Sequence, residues 1–227
     1  MSIITALEPQ QRRPGRTNVY SDGRFLMGVS NDVVVSLGLR VGLPLDEERL
    51  RAVAMAEDLH RATDIALKYL ETRARTEKEI RTRLAKDAYG DDVVEKVLEK
   101  LRRVNLANDV QFAAQWVEAK TKPTAGRPTG KRRIATDLYR KGVDKETIEE
   151  AVSHVDEDSE LELARKALRS RAKALPTERE ALIAEKRRLA AFLARRGFGW
   201  DIVSKALREL GAASDEDDDL IADADEE

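Results

Sequence analysis

A pattern of seven small or apolar residues occurs three times in this chain, and the spacing inside the pattern does not change. The copies begin at Ile80, Ile134 and Leu189, so they follow one another at nearly equal intervals. The copies are Ile80, Leu84, Ala88, Val94, Val97, Leu98 and Leu101; Ile134, Leu138, Gly142, Ile148, Ala151, Val152 and Val155; and Leu189, Leu193, Gly197, Val203, Ala206, Leu207 and Leu210. Such repetition is typical of stacked tandem units, and it favours an extended binding surface over a single active site.

A further amphipathic run precedes each copy. In these runs the apolar residues stand at i, i+1, i+4 and i+5, which marks one face of a helix. The runs are Ile65, Ala66, Tyr69 and Leu70; Phe112, Ala113, Trp116 and Val117; and Leu163, Ala164, Ala167 and Leu168. The distance from the run to the pattern grows from the first unit to the third, as surface loops allow at low cost. Each unit is therefore predicted to contain three helices, with a variable loop after the first and a short turn after the second.

The short turn has a recognisable sequence. Gly142 and Gly197 follow the last apolar residues of the middle helix, where a left-handed C-cap favours glycine. The first unit has Ala88 there and Gly90 shortly after it, which predicts a shifted cap. The next residue of each unit is expected to pack back on the helix, and these residues are Tyr89, Val143 and Phe198. The predicted N-caps of the third helices are Asp91, Asp144 and Asp201.

Residues 1–30 lack the helical period. Their strand candidates are residues 3–7, 18–20 and 24–29. Asp22-Gly23 is a strong hairpin signal, because glycine and aspartate tolerate the positive φ that such turns need. Asn31 is predicted to cap one helix, and Asp46 to precede another. Because an isolated hairpin is marginally stable, we expect this module to pack on the first repeat.

These patterns predict a mainly α fold, with three tandem three-helix repeats in an elongated, curved array behind a small module that contains a β-hairpin. The predicted divisions are the N-terminal module at 1–57, repeats at 58–107, 108–157 and 158–211, and a tail at 212–227. Charged residues make up 37% of the chain and aromatic residues 4%. This composition suits helices with thin cores and wide solvated faces.

The composition argues against catalytic and metal-binding classes. The chain has no cysteine, and its two histidines, His60 and His154, fall in different repeats, so a cysteine or histidine-rich metal site is not expected. No apolar run approaches the ~20 residues that span a bilayer, and the start lacks a signal-peptide pattern. We expect a cytoplasmic protein without cofactors, membrane contact or enzymatic activity, since no catalytic constellation emerges.

One segment resembles a phosphate-binding loop but lacks its chemistry. It runs from Ala125 to Lys131, and Arg132 stands where Ser or Thr would hold magnesium. The segment before it has a helical pattern, whereas such loops follow a strand. Its prolines and glycines indicate instead a loop between the first and second helices of repeat two.

The net charge of −2 conceals an uneven distribution. Residues 211–227 hold nine acids and no base, which leaves 41 bases and 34 acids in residues 1–210. A segment of this composition has little to bury and is predicted to be disordered. It either keeps the protein soluble, or its acids screen a basic surface or imitate the phosphates of a nucleic acid.

The bases concentrate on corresponding helices of the repeats. Lys131, Arg132 and Arg133 open the middle helix of repeat two, and residues 186–188 are the matching run of repeat three. The candidate contact residues are Arg73, Arg75, Arg81, Arg83, Lys131, Arg132, Arg133, Arg140, Lys141, Lys186, Arg187, Arg188, Arg195 and Arg196. An ordinary solvated helix face would also carry such bases. The functional interpretation is an electropositive strip that meets acidic protein or phosphate.

Several segments resemble the RecX regulatory proteins of bacteria. They are residues 66–84, 93–101, 109–120, 138–152 and 192–207. The most specific are R-x-R-[ST]-x-x-E-[IL], from Arg73 to Ile80, and RRGF, from Arg195 to Phe198. The resemblance covers about residues 59–210, and the N-terminal segment is similar to an extension of some members. The chain departs from the family at Ala88, where glycine is usual, and in its acidic tail.

The resemblance implies a non-enzymatic modulator of the RecA recombinase. RecX proteins are described as curved arrays of three-helix repeats that bind along the groove of the RecA–DNA filament. They limit strand exchange, ATP hydrolysis and co-protease action, and thereby modulate recombinational DNA repair and the SOS response. We therefore expect the RecA filament as partner, with weak DNA binding beside it. A monomer is expected, because the repeats supply their own stacking faces.

A helical DNA-binding protein that acts directly on nucleic acid is the alternative. Three-helix units resemble helix-turn-helix readers of DNA. The third helices, however, begin with acids, including Asp91 and Asp92 in repeat one and Glu146 in repeat two. A helix that reads bases would carry Arg, Lys, Asn or Gln there.

Overall fold

The computed structural model describes residues 2–122, 124, 126–171 and 175–210, so the predicted tail lies outside the described residues. The predicted mainly α class is confirmed, and the strands of the described chain all lie between Ser2 and Leu45. The chain divides into two compact units, Met1–Ala107 and Asn108–Glu227, and each has its own cores.

The first unit begins with a four-stranded antiparallel sheet in the order β3-β2-β1-β4. The strands are β1 (Ser2–Pro9), β2 (Arg16–Ser21), β3 (Arg24–Ser30) and β4 (Pro44–Leu45). Asp22 and Gly23 both have positive φ in the turn between β2 and β3, as the hairpin signal predicted. The short β4 was not predicted, because it has too few residues to show an alternating pattern. It pairs with the start of β1, where Ser2 lies opposite Leu45.

Two helices follow the three long strands, and the second links the sheet to repeat one. Asn31 was predicted to cap α1 (Asn31–Ser36), but the cap is Ser30, whose hydroxyl accepts a hydrogen bond from the Val33 amide. The carboxylate of Asp46 caps α2 (Glu47–Leu70). The N-terminal half of α2 packs on the sheet core and its C-terminal half on the core of repeat one. The module thus packs on the first repeat as expected, through one helix that runs across the predicted division at residues 57 and 58.

Repeat one is completed by α3 (Glu77–Lys86) and α4 (Asp91–Arg103). Six residues of the repeated pattern belong to its core, and they are Ile80, Leu84, Val94, Val97, Leu98 and Leu101. The predicted cap shift at Ala88 was wrong. Ala88 itself takes the left-handed conformation with φ +61°, while Gly90 has φ −69° and precedes α4. The backbone of repeat one therefore has the same turn as its glycine-containing counterparts.

The second unit holds repeats two and three. Repeat two consists of α5 (Asp109–Thr121), α6 (Lys131–Lys141) and α7 (Lys145–Ser153). Repeat three consists of α8 (Glu157–Arg169), α9 (Arg179–Arg195) and α10 (Trp200–Leu210). Gly142 and Gly197 have φ of +91° and +83°, and the apolar residues after them, Val143 and Phe198, are buried. Both features were predicted.

Two details of the repeats differ from the prediction. Of the three aspartates expected to cap third helices, Asp144 does so, with its carboxylate 2.8 Å from the Thr147 amide. Asp91 is the first residue of α4 and Asp201 the second of α10, so both lie inside their helices. The helix α9 also begins at Arg179, well before the basic run that was predicted to open it. Each aspartate still places a negative charge near the positive end of a helix.

Candidate basic interaction surface

Within the second unit, the end of α9 meets the start of α6. The carbonyl of Arg196 accepts a hydrogen bond from the Gly130 amide at 3.0 Å, and the carbonyl of Gly197 accepts one from the Arg132 amide at 3.1 Å. Gly130 precedes α6 and has no side chain with which to cap it. The carbonyl groups that follow α9 therefore satisfy amides that the helix cannot satisfy itself. We call this contact the repeat joint.

Glycine allows the two backbones to approach at the repeat joint. A Cβ atom on Gly130 would lie 2.3 Å from the Gly197 oxygen. A Cβ atom on Gly197 would lie 2.3 Å from the Arg133 nitrogen. Both distances are far below a van der Waals contact with rigid backbone, so a side chain at either position would force the repeats apart.

A buried carboxylate supplies a further acceptor. Glu160 on α8 is 5% exposed, and it accepts a hydrogen bond from the Lys131 amide at 2.9 Å. The Lys131 ammonium group lies 3.8 Å from the same carboxylate. Every amide of the first turn of α6 is thereby bonded within the protein, since the Arg133 amide donates to the Gly130 carbonyl. No amide of this turn is left to cradle a phosphate, which agrees with the rejection of a nucleotide-binding loop.

Five bases surround the repeat joint, and we call them the joint cluster: Lys131, Arg132, Arg133, Arg195 and Arg196. Arg133 lies 3.3 Å from Asp137. Arg196 lies over the Phe192 ring and donates to the Pro128 carbonyl. Arg132 and Arg195 are exposed, and neither has an acidic partner among the residues that the structure describes. Two stretches that are separate in sequence thus present unpaired guanidinium groups beside one contact.

The position of these bases is unfavourable for the helix that carries them. The first turn of α6 has no acid, whereas each of the other nine described helices has at least one. Cations at the positive end of a helix dipole typically cost about 0.3–1 kcal/mol each. Lys131 and Arg133 have the acidic partners Glu160 and Asp137, whereas helix stability gives no reason for Arg132, and this favours a role in binding for that residue.

The predicted contact residues of repeat one are engaged inside the repeat. Arg73 makes a bidentate contact with Glu79 at 2.9 and 3.2 Å, which raises the pKa of Arg73. Arg75 lies 3.9 Å from the centre of the Tyr69 ring. Arg81 is paired with Glu95, and Arg83 with Asp87. Arg73, Arg81 and Arg83 therefore each have an acidic partner inside the repeat, whereas Arg75 contacts only neutral groups of Tyr69 and Thr72.

The remaining predicted residues are divided between packing and surface. Lys186 is only 7% exposed, so it offers little contact area, contrary to its inclusion in a binding strip. Arg188 forms a hydrogen-bonded pair with Glu185, and Lys141 lies 4.7 Å from the Trp116 ring centre. Arg140 and Arg187 lie exposed on α6 and α9.

Three structurally important residues escaped the sequence analysis. Arg102 on α4 binds Glu77 on α3 with two hydrogen bonds and Glu95 with a third. Hydrogen bonds from Arg81 and Arg102 lower the pKa of Glu95. Glu57 on α2 is buried between Arg16 and the Ser30 amide. For Glu57, the one available sequence signal was its position on the apolar face of a helical pattern, because its partners Arg16 and Ser30 are distant in sequence.

Over the described ranges, no group of three or more His, Cys, Asp or Glu residues could hold a metal ion. His60 lies 3.8 Å from Asp32 and 3.6 Å from Asp64, and all three residues belong to the first unit. No described helix is both long and apolar enough to cross a membrane.

The architecture defines a protein of three-helix repeats that follow a small strand module. Its sequence matches the Regulatory protein RecX N-terminal domain over residues 2–46. It matches the first, second and third three-helix domains of RecX over residues 62–101, 108–152 and 157–207. Regulatory protein RecX of Clostridioides difficile (strain 630) is 31% identical over 210 residues, which are 92% of this chain and 96% of the relative. The chain belongs to the RecX family of regulatory proteins.

Other relatives and solved structures agree with this assignment. Regulatory protein RecX of Levilactobacillus brevis is 32% identical over 218 residues, which cover 96% of this chain and 80% of that protein. A crystal structure of regulatory protein RecX has a TM-score of 0.71 at 28% identity and covers 90% of this chain and 98% of its own. The crystal structure of RecX from Lactobacillus salivarius, at 23% identity, has a TM-score of 0.59 over 70% of this chain and 99% of its own. The last similarity concerns the fold alone.

Proposed function

We propose that this protein is a monomeric, non-enzymatic regulator of the RecA recombinase in the cytoplasm. It binds the RecA filament along its groove and inhibits strand exchange, ATP hydrolysis and co-protease activity. Membership of the RecX family supports a regulatory role, and the resemblance described above supplies RecA as the partner. The observation that carries the contact site is the joint cluster, in which Arg132 and Arg195 are exposed without acidic partners among the described residues.

A filament suits a protein made of repeats. Each contact between a repeat and a RecA protomer can be weak, because linked contacts raise the overall affinity by ~10²–10⁴-fold when the geometry fits. Binding across neighbouring protomers opposes the subunit motions that ATP turnover needs. Exposed guanidinium groups complement acidic protein or phosphate, and either surface is present on a filament that has bound DNA.

The test is a charge reversal confined to the unpaired bases, Arg132→Glu with Arg195→Glu. This variant leaves the backbone contacts of the repeat joint and the Lys131–Glu160 pair in place. We expect the affinity for RecA filaments on single-stranded DNA with ATP to fall by about tenfold or more, and inhibition of strand exchange to fall with it.

A matched control carries the same change in charge elsewhere in the unit. Lys122→Glu with Lys145→Glu alters two exposed lysines that pair with Glu118 and Glu149, and it should bind filaments nearly as well as the parent protein. Unchanged affinity and inhibition in the Arg132/Arg195 variant would show that the joint cluster is not the contact.

Direct action on DNA is the second candidate, and the joint cluster also favours it, because bases at a helix N-terminus commonly contact phosphates. Against base reading, α4 begins with the exposed acids Asp91 and Asp92. Titration against bare and RecA-coated DNA at matched salt separates the candidates. Tighter binding to coated DNA supports the filament regulator, and equal or tighter binding to bare DNA supports the alternative.

A further inference from the structure

Two exposed bases of the joint cluster lack an acidic partner among the described residues, and the same chain carries a segment with complementary charge. These bases, Arg132 and Arg195, stand beside the positive end of α6. Residues 211–227 contain nine acids and no base. The acids are Asp215, Glu216, Asp217, Asp218, Asp219, Asp223, Asp225, Glu226 and Glu227.

The acidic segment is attached close to the repeat joint. The last described helix, α10, begins at Trp200, shortly after Gly197, and ends at Leu210. Its 11 residues span about 17 Å at the helical rise. The segment that follows can extend over about 55–60 Å, so it is long enough to return along α10 to the joint cluster.

We infer that the joint cluster is a docking surface for residues 211–227 of the same chain. The bound segment neutralises Arg132 and Arg195 and occupies the surface that an acidic partner needs. The docking is inferred from the opposite charges of the joint cluster and residues 211–227 and from the length of that segment. The resulting competition with the filament rests on the proposed function. Because the bases are exposed, the contact is salt-sensitive and gives way to a partner that presents more negative charge.

The N-terminal module is the competing location, because Arg12, Arg13 and Arg24 are exposed there. Two observations favour the joint cluster. It belongs to the same compact unit as Leu210, to which the segment is attached. It also brings exposed bases from two separate stretches together, Arg132 at the start of α6 and Arg195 at the end of α9.

The absence of cysteine permits a clean test with one spin label, attached to a Leu220→Cys variant of the full chain. At low ionic strength, we expect the label to broaden the amide NMR signals of residues 131–133 and 195–197. The broadening should vanish at about 1 M salt, where the Debye length is about 3 Å, and in the Arg132→Glu/Arg195→Glu background. No broadening, or broadening confined to residues 12–24, would overturn the docking.

A second measurement addresses competition. Deletion of residues 211–227 should tighten filament binding severalfold in the parent protein and leave it unchanged in the Arg132→Glu/Arg195→Glu variant. If the label broadens the expected signals but the Arg132→Glu/Arg195→Glu variant binds filaments as tightly as the parent, docking is supported and the proposed filament contact is refuted. If the Arg132→Glu/Arg195→Glu variant binds filaments more weakly but the label broadens no signal, docking is refuted and the proposed filament contact is supported.

Discussion

Ala88 shows how one residue can store strain without changing the turn around it. The corresponding residues in the other repeats are glycines, and all three positions have φ between +61° and +91°. A left-handed conformation costs an L-residue with a Cβ atom about 1–2 kcal/mol. Ala88 adopts it because Tyr89 packs against the core just beyond it.

We therefore predict that Ala88→Gly raises the free energy of unfolding by about 1 kcal/mol, because the relief of strain exceeds the added entropy of the unfolded glycine. Urea denaturation followed by circular dichroism measures the change. A lower stability of this variant would mean that the turn around residue 88 is not strained.

The opposite substitution, from glycine to alanine, has a larger effect on stability at the repeat joint. Gly197→Ala combines positive φ with a Cβ atom 2.3 Å from the Arg133 nitrogen. We expect a loss of about 2 kcal/mol or more, measured by urea denaturation followed by tryptophan fluorescence. Gly199→Ala is the control, since a Cβ atom there meets nothing within 4 Å.

At the scale of helices, ion pairs join neighbouring elements of a repeat. In repeat one, Arg102 on α4 binds Glu77 on α3, and Arg81 on α3 binds Glu95 on α4. In repeat three, Arg165 and Lys205 connect α8 and α10 through Glu209 and Glu157. The pKa of Glu209 is lowered by its hydrogen bonds from Arg165. Repeats with matching apolar cores thus use different charged residues to connect their helices.

The lowered pKa of Glu95 predicts a pH dependence with a definite sign. A carboxyl group whose folded pKa lies below its unfolded pKa stabilises the fold above the unfolded value, and this stabilisation is lost as the pH falls through the folded value. The parent protein should therefore be more stable than Glu95→Gln near neutral pH, and the difference should shrink as the solution becomes acidic. Melting temperatures across that range test this, and a constant difference would contradict it.

Local elements were predictable from sequence, whereas contacts between them were not. The apolar patterns predicted the cores, and glycine predicted the turns at residues 142 and 197, because each signal lies within a short stretch of chain. The early start of α9 was missed because the helix extends upstream of the repeated pattern. The repeat joint was missed because it is made largely by backbone atoms of residues 130–132 and 196–197, which leave no pattern of side chains.

At the scale of the molecule, a buried ion pair joins the sheet to the helix that enters the first repeat. Glu57 on α2 is 4% exposed and lies 2.7 Å from Arg16 on β2, and its second oxygen accepts from the Ser30 amide at 2.7 Å. Both tryptophans, Trp116 and Trp200, lie in the second unit. Circular dichroism therefore reports on both units, and tryptophan fluorescence on the second alone.

We predict that Glu57→Ala destabilises the first unit by about 3 kcal/mol, because Arg16 loses its carboxylate partner and the buried Ser30 amide loses its acceptor. In urea, part of the circular dichroism signal should be lost at lower concentration while the fluorescence transition is unchanged. Glu47→Ala serves as control, since the Glu47–Arg51 pair is exposed and worth less than about 1 kcal/mol. A parallel shift of both signals would mean that the two units unfold together.

The repeat joint also imposes an order on the folding of the protein during its synthesis. The ribosome delivers α6 well before the carbonyl groups of Arg196 and Gly197, which accept hydrogen bonds from the Gly130 and Arg132 amides. Until then these two amides have only water as a partner. Repeat two is therefore completed only after α9 and residues 196–197 have been synthesised. A nascent chain that stops before α9 carries a second repeat in which the start of α6 is frayed.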